Sequence, residues 1–248
     1  MRDRSPTRIS GIILAGGASR RMGQDKAFLQ VGGELLIDRV LKAVRAVADD
    51  IIIVTNSPEK YAGYPARLIR DAYPGTGALG GIYTGLLAAE HSCGIVVACD
   101  MPFLKVDLLQ YMAGQIEQYD VVIPYVGDDQ PSANTQDAAL RQAPRRAQEG
   151  PQEGSQDTAR ARDLHPLHAI YCKRCLEPIE RAIGRGDLRA IAFLPEVRVR
   201  FVGRQEIARF DPEHCSFFNA NTPEELRYAQ ELTKIRSFFN VGFCTRHP

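Results

Sequence analysis

Apolar residues in this chain fall into short unbroken runs separated by stretches with helical spacing. Ile12 to Ala15 is the first run; Ile9 to Leu14 reads as a buried strand, ending at Gly16-Gly17. Ile51-Ile52-Ile53-Val54, Ile95-Val96-Val97-Ala98 and Val121-Val122-Ile123-Pro124 repeat the pattern. Runs of this kind mark strands covered on both faces. Arg67 to Arg70 reads as a further short strand. Between them, Leu36 to Val47 places Leu36, Ile37, Val40, Leu41, Val44 and Val47 along one helical face. Ile82 to Glu90 and Leu108 to Ile116 also read as helices. The alternation predicts an α/β fold: a mostly parallel central sheet with helices on both faces, in three α/β/α layers.

The pattern then breaks. From Gly127 to Asp163 the only large aliphatic residue is Leu140, and there is no aromatic. Gln, Ala, Asp, Glu, Arg, Gly and Pro dominate. Such a stretch cannot bury enough apolar surface to offset its ordering entropy. It is expected to be a disordered insertion, with an inter-domain linker as the other reading. Beyond it, Leu167 to Tyr171 and Val197 to Val202 read as strands. Cys175 to Ile183 and Leu188 to Leu194 read as helices. Thr222-Pro223-Glu224-Glu225 has the form of a helix start, with Thr as N-cap, Pro in the first turn and Glu at the third position. That helix is expected to reach about Lys234. Without the insertion the chain has about 210 residues, a size suited to one α/β domain spanning 1–248.

Composition narrows the classes. Lys and Arg number 31 and Asp and Glu 30, a formal net charge of +1. So even a balance argues against a nucleic-acid partner held by bulk charge. It also hides local contrast: Arg20, Arg21 and Lys26 are cationic, while the insertion is net acidic. No apolar run approaches the roughly 18 residues of a membrane span, so neither a membrane nor a secretory leader is expected. Six cysteines in 248 residues imply no disulfide framework.

The chemistry concentrates where parallel strands end, the usual ligand edge of an open sheet. Leu14 to Lys26 carries Gly16, Gly17 and Gly23 with Arg20, Arg21 and Lys26. Small residues let backbone N–H groups approach phosphate oxygens, and the cations neutralise them. No Gly-Lys-Ser/Thr follows, so this is not a P-loop. Gly75, Gly77 and Gly80 satisfy G-x-G-x-x-G, with Asp100 20 residues beyond Gly80. The dinucleotide reading is set aside, because the match is not in the first βα unit. Asp100, within Cys99-Asp100-Met101-Pro102, follows a buried strand. It suits Mg²⁺ held against phosphates, or alternatively the N-cap of the next helix. Cys172 and Cys175 read as ordinary half-buried cysteines. His168 reads as a packed or hydrogen-bonded residue rather than a base. No G-x-S-x-G is present.

Together these residues carry a family likeness. Leu14-Ala15-Gly16-Gly17, Arg21-Met22-Gly23 and Lys26 resemble the signature loop of nucleotidyltransferases that join a nucleoside monophosphate to a phosphorylated acceptor. The match is closest to the molybdenum cofactor guanylyltransferases. Asn56, Asp71 with Leu79-Gly80-Gly81, Cys99-Asp100-Met101-Pro102, Pro166-Leu167-His168-Ala169 and Asn219 to Leu226 follow in order. The resemblance spans about Ile9 to Leu232, outside the insertion. Ala78 stands where the family often has proline.

The resemblance implies a Rossmann-like fold and a reaction. GMP passes from Mg·GTP to the phosphate of molybdopterin, giving the guanine dinucleotide and pyrophosphate. Leu14, Ala15, Gly16 and Gly17 would contact the nucleotide, with Gly80 in the second glycine loop. Arg21 and Lys26 would neutralise the triphosphate. Asn56 and Asp71 would meet the guanine–ribose side. Asp100 would bind Mg²⁺, the implied cofactor. Asn219 and Asn221 would face the acceptor. Gly17 resembles the guanine-using branch; the cytosine-using branch more often has Ala-Ala-Gly there. A cytoplasmic location and transient docking to molybdoenzyme maturation proteins are implied as well. The alternatives are a cytidylyl- or sugar-phosphate nucleotidyltransferase on the same fold, a dinucleotide-using oxidoreductase, or a non-catalytic carrier. A carrier would be expected to have lost Lys26 or Asp100.

Overall fold

The computed structural model describes residues 8–16, 25–127 and 163–242, with side chains to residue 235. Gly17 and Arg21 lie outside the described residues, as does all of the 127–163 stretch except its two end positions.

Nine strands are described: β1 (Ser10–Leu14), β2 (Gln30–Val31), β3 (Glu34–Leu35), β4 (Asp50–Val54), β5 (Arg67–Ile69), β6 (Cys93–Ala98), β7 (Val121–Tyr125), β8 (His168–Cys172) and β9 (Val199–Gly203). The helices are α1 (Leu36–Arg45), α2 (Ala78–Ala88), α3 (Val106–Ala113), α4 (Leu176–Gly184), α5 (Arg204–Ile207) and α6 (Pro223–Gly242). Seven strands form one sheet in the order β5-β4-β1-β6-β8-β7-β9. All neighbours are parallel except β8, which runs against both β6 and β7. β2 and β3 pair as a separate hairpin, turning through Gly32 and Gly33, both at positive φ. No helix among the described residues is long and apolar enough to cross a membrane.

Strand alternation divides the core. Ile13, Ile53 and Val97 face α1 and α3, with Ile37, Val40, Leu108 and Met112. Ile12, Ile52 and Val96 face α2 and α4, with Ile82, Leu86, Ile179 and Ala182. Helices on both faces explain why the strands read as unbroken apolar runs. A third, smaller cluster joins Val31 of the hairpin, Leu36, Phe103, Ala220 and Ala229 of α6. It backs the loop that follows Asp100.

Register sets where the chemistry emerges. Leu14 pairs with Val54 on one side and Ala98 on the other. Val54 also pairs with Ile69. Ala15, Thr55, Arg70 and Cys99 therefore leave the sheet at one level, and Val97 meets His168 at the start of β8. The chain moves outward from β1 to β4 and β5, then returns to β6 on the other side of β1. Ligands in open α/β sheets bind at such a switch point.

Several expectations need correction. Residues 188–194 are turns leading to a 3-10 turn at Leu194–Glu196, not a helix. Pro195 lies within that 3-10 turn and has no N–H to continue an α-helical ladder from the residues before it, and Asp187 bonds locally to the backbone and side chain of Arg189. α2 starts four residues early, inside the glycine run, and α6 extends eight residues beyond Lys234. Cys172 and Cys175 are fully rather than half buried. Cys172 is joined to Cys93 by a disulfide. That partner stands 79 residues away, and only the antiparallel pairing of β6 with β8 brings the two opposite.

Candidate functional site

Lys26 is set by the residue before it. Asp25 has extended backbone and caps a 3-10 turn, Lys26–Phe28, through Ala27 N–H at 3.4 Å. Its carboxylate also takes Lys60 Nζ at 3.2 Å and the Tyr61 hydroxyl at 3.4 Å. Tyr61 is buried against Phe28. Asp25 thus ties the Lys26 turn to the segment after β4.

Lys26 then reaches across the edge. Its ammonium donates to Asn221 Oδ1 at 2.7 Å and lies 3.9 Å from Asp100 Oδ2. Asp100 is mostly buried, and burial raises its carboxyl above the usual range while Lys26 pulls it back. Its other oxygen, Oδ1, is buried and has no hydrogen-bond partner among the described residues. Asp100 caps no helix, because α3 begins at Val106 with Lys105 at its N-cap. That removes the capping alternative. The Asp100 carbonyl accepts Ala220 N–H at 2.9 Å, stitching the segment before α6 to this loop.

Asn221 belongs to that segment. The N–H groups of Asn221 and Thr222 both donate to Glu225 Oε2 at 2.8 Å, and Glu225 N–H returns to Thr222 Oγ1 at 3.2 Å. Asn219 is half-buried two residues earlier. Lys26, Asp100 and Asn221 are brought together from positions far apart in sequence.

A second group forms around Asp71. Asp71 Oδ1 accepts Tyr73 N–H and the Thr84 hydroxyl, each at 3.0 Å. Gly80 lies against this turn, where a Cβ would fall 2.0 Å from Thr76 Oγ1 and 3.2 Å from Asp71 Oδ1. Gly75 and Gly77 hold positive φ. The G-x-G-x-x-G pattern is therefore turn geometry plus a close approach of α2. Leu14 and Ala15 continue the sheet, through Cys99 N–H to Leu14 O and Ala15 N–H to Val54 O. Leu14 packs on Gly81, where an added Cβ would sit 3.1 Å from its Cδ1. Gly16 follows, and among the described residues no atom lies closer than 4.0 Å to an added Cβ. The side chain of Asn56 is exposed, and its carbonyl accepts from Arg70.

His165 and His168 pack together on Phe217 near the start of β8. His165 stacks on Phe217 at 4.2 Å, and His168 meets the same ring edge-on at 4.9 Å. Burial pushes His168 down to about 3 and His165 to about 4. His168 is packed, as expected of it, and neither ring nitrogen has a side-chain partner among the described residues. It has the character of core rather than of a base.

The donor set suits a hard cation. Among the described residues no three His, Cys, Asp or Glu side chains converge on one point. Mg²⁺ needs no such cage; it uses one or two carboxylates and completes its shell with substrate phosphates and water. Asp100, with Oδ2 near Lys26 and Oδ1 unpartnered among the described residues, fits that role. Lys60, Tyr61, Thr84 and Glu225 carried no functional assignment in the sequence reading. Of these only Glu225 left a local signal, its place in the helix-start motif.

A model of the MobA-like NTP transferase domain matches residues 11–198. The molybdenum cofactor guanylyltransferase of Desulfosudis oleivorans is 37% identical over 228 residues, covering 91% of this chain and 96% of its own. A probable molybdenum cofactor guanylyltransferase of Clostridium perfringens is 40% identical, covering 94% and 91%. The crystal structure of molybdopterin-guanine dinucleotide biosynthesis protein A from Archaeoglobus fulgidus superposes with a TM-score of 0.69 at 25% identity, covering 92% of this chain and all of that one.

Proposed function

The chain belongs to the MobA-like NTP transferase family, as a nucleotidyltransferase of the molybdenum cofactor guanylyltransferase kind, and from that footing we propose that it transfers GMP from Mg·GTP to the terminal phosphate of molybdopterin. One observation carries the reading: Lys26 stands between Asp100 and Asn221 at the strand edge where nucleotide and acceptor segments meet.

The chemistry follows from charge. A phosphate oxygen of the acceptor forms a new bond to the α-phosphorus of GTP. The bond from that phosphorus to the oxygen bridging toward the β-phosphate breaks, and pyrophosphate leaves with the electron pair. The acceptor oxygen is already ionised, so no protein base is required. Positioning and neutralisation are the protein's share of the work. Lys26, with Arg21, offsets the triphosphate charge. Leu14 to Gly17 line the nucleotide with backbone, and Asn56, Asp71 and Gly80 shape its guanine–ribose side. Asn219 and Asn221 hold the acceptor. Asp100 would hold Mg²⁺, which when bound supplies charge neutralisation on the phosphates.

On this reading the chain is one nucleotidyltransferase domain working in the cytoplasm. It docks transiently to the proteins that mature molybdoenzymes. The choice of guanine is supported by the names that relatives at 37% and 40% identity carry. Transfer of label from the α-phosphate of GTP to molybdopterin, with CTP and ATP as competitors, tests it.

A further inference from the structure

We infer that Glu225 is a positioning residue for the reaction: its carboxylate fixes the backbone of Asn221 so that the Asn221 side chain meets Lys26. The inference rests on the nucleotidyltransferase reading of the same site. In an ordinary capping box the third-position carboxylate takes one N–H, that of the N-cap residue. Here Thr222 is the N-cap and its N–H does reach Glu225 Oε2, at 2.8 Å. The same oxygen takes a second N–H, from Asn221, also at 2.8 Å. That bond adds nothing to the first turn of α6, because Asn221 lies outside it. Its effect falls on the residue whose Oδ1 accepts Lys26 Nζ at 2.7 Å.

The surrounding contacts make the arrangement directional. Ala220 is buried, and its N–H is held by the Asp100 carbonyl. Ala229 anchors the base of α6 in the third core cluster with Val31 and Phe103. Glu225 therefore projects from a fixed helix start. Asn221 itself is exposed, where water competes for its backbone. Of its neighbours, Ala220 is secured from the Asp100 side and Thr222 by the capping box. The Glu225 bond secures the peptide between them.

Four variants test this. Glu225→Ala removes both N–H partners. Thr222→Ala removes the other half of the cap, the bond from Glu225 N–H to Thr222 Oγ1. Glu224→Ala removes a neighbouring first-turn charge that pairs with Arg227. Glu225→Gln keeps an acceptor oxygen. At matched melting temperature, Glu225→Ala should lower kcat/KM for molybdopterin roughly 10- to 100-fold, the scale of a small misplacement at a reacting site. Nucleotide affinity should stay within about twofold of wild type, and Glu225→Gln should recover most of the loss. Thr222→Ala and Glu224→Ala should keep near-normal turnover.

A second readout needs no reaction. The acylation rate of Lys26, followed by peptide mass spectrometry, should rise in Glu225→Ala toward that of Asn221→Ala. It should stay near wild type in the other three variants. Equal kinetics and equal Lys26 acylation for Glu225→Ala and Thr222→Ala would overturn the inference, as would a Glu225→Gln variant no better than Glu225→Ala. If the wild type transferred no GMP at all, the function reading would fail, and Lys26 acylation would still decide the role of Glu225.

Discussion

Around Asp71 and α2 the site edge is made of backbone and close packing; around Lys26, Asp100 and Asn221 it is made of three side chains. On the α2 side, Gly80 leaves no room for a Cβ beside Thr76, and Gly85 would place one 2.3 Å from Ile12. Asp71 spends Oδ1 on the protein's own Tyr73 and Thr84. At the Lys26 corner, a buried carboxylate oxygen has no partner among the described residues and an ammonium bridges two segments. A surface finished by packing resists change in shape. A corner finished by a few polar contacts can exchange them for phosphates. On the proposed function, the first kind of region would set the pocket, and the second would carry the reaction.

The contrast is open to direct attack. Asp100→Asn should have the largest effect on rate, a loss of at least about 10³-fold, on the scale of removing a main electrostatic contribution to the transition state. Its melting temperature should stay level or rise, because the substitution removes a buried charge whose carboxyl burial has already raised. Activity near wild type in this variant would end the metal role. Gly85→Ala should do the reverse. The new methyl meets Ile12 and should cost about 1–3 kcal/mol by overpacking, read from denaturant melts. Turnover per folded molecule should change little. If Gly85→Ala abolished turnover without loss of stability, the division between the two regions would fail.

A further expected effect concerns acid. His168 stays neutral in the folded chain down to about 3, against about 6.5 when unfolded. Below about pH 6.5 the unfolded chain takes up a proton that the folded chain refuses, so stability falls as pH drops toward 3. The slope for this one residue is at most about 1.4 kcal/mol per pH unit. His165 adds in the same direction, down to about 4. Melting temperature followed from pH 7 to 4.5 should show the fall, and His168→Leu should flatten it. Equal slopes in the two proteins would show that His168 does not titrate as its burial requires.

Much of the fold was legible because its strands are covered twice. β1, β4, β6 and β7 each announce themselves as an aliphatic run. The direction of β8 was not legible, since a five-residue strand reads alike either way. The β2–β3 hairpin has two residues per strand, too few for a period to show. The 188–194 segment misled because apolar spacing resembled a helix, while Pro195 and the Asp187–Arg189 bonds turned the chain. In the site, Lys26, Asp100 and Asn221 were each identifiable from local motifs and family likeness. Their contact was not, because Lys26 and Asn221 are 195 positions apart and meet only once α6 docks on the hairpin. Glu225 was visible as a cap and silent about what the cap holds.

The central claim is that this edge moves GMP onto a molybdopterin phosphate. Its most direct test is incubation of the enzyme with molybdopterin, Mg²⁺ and GTP labelled at the α-phosphate, with matched CTP and ATP reactions alongside. The expected result is label in a molybdopterin dinucleotide, release of unlabelled pyrophosphate, and clear preference for GTP. Equal transfer from CTP would contradict the base assignment, and absence of transfer from every nucleotide would contradict the claim itself.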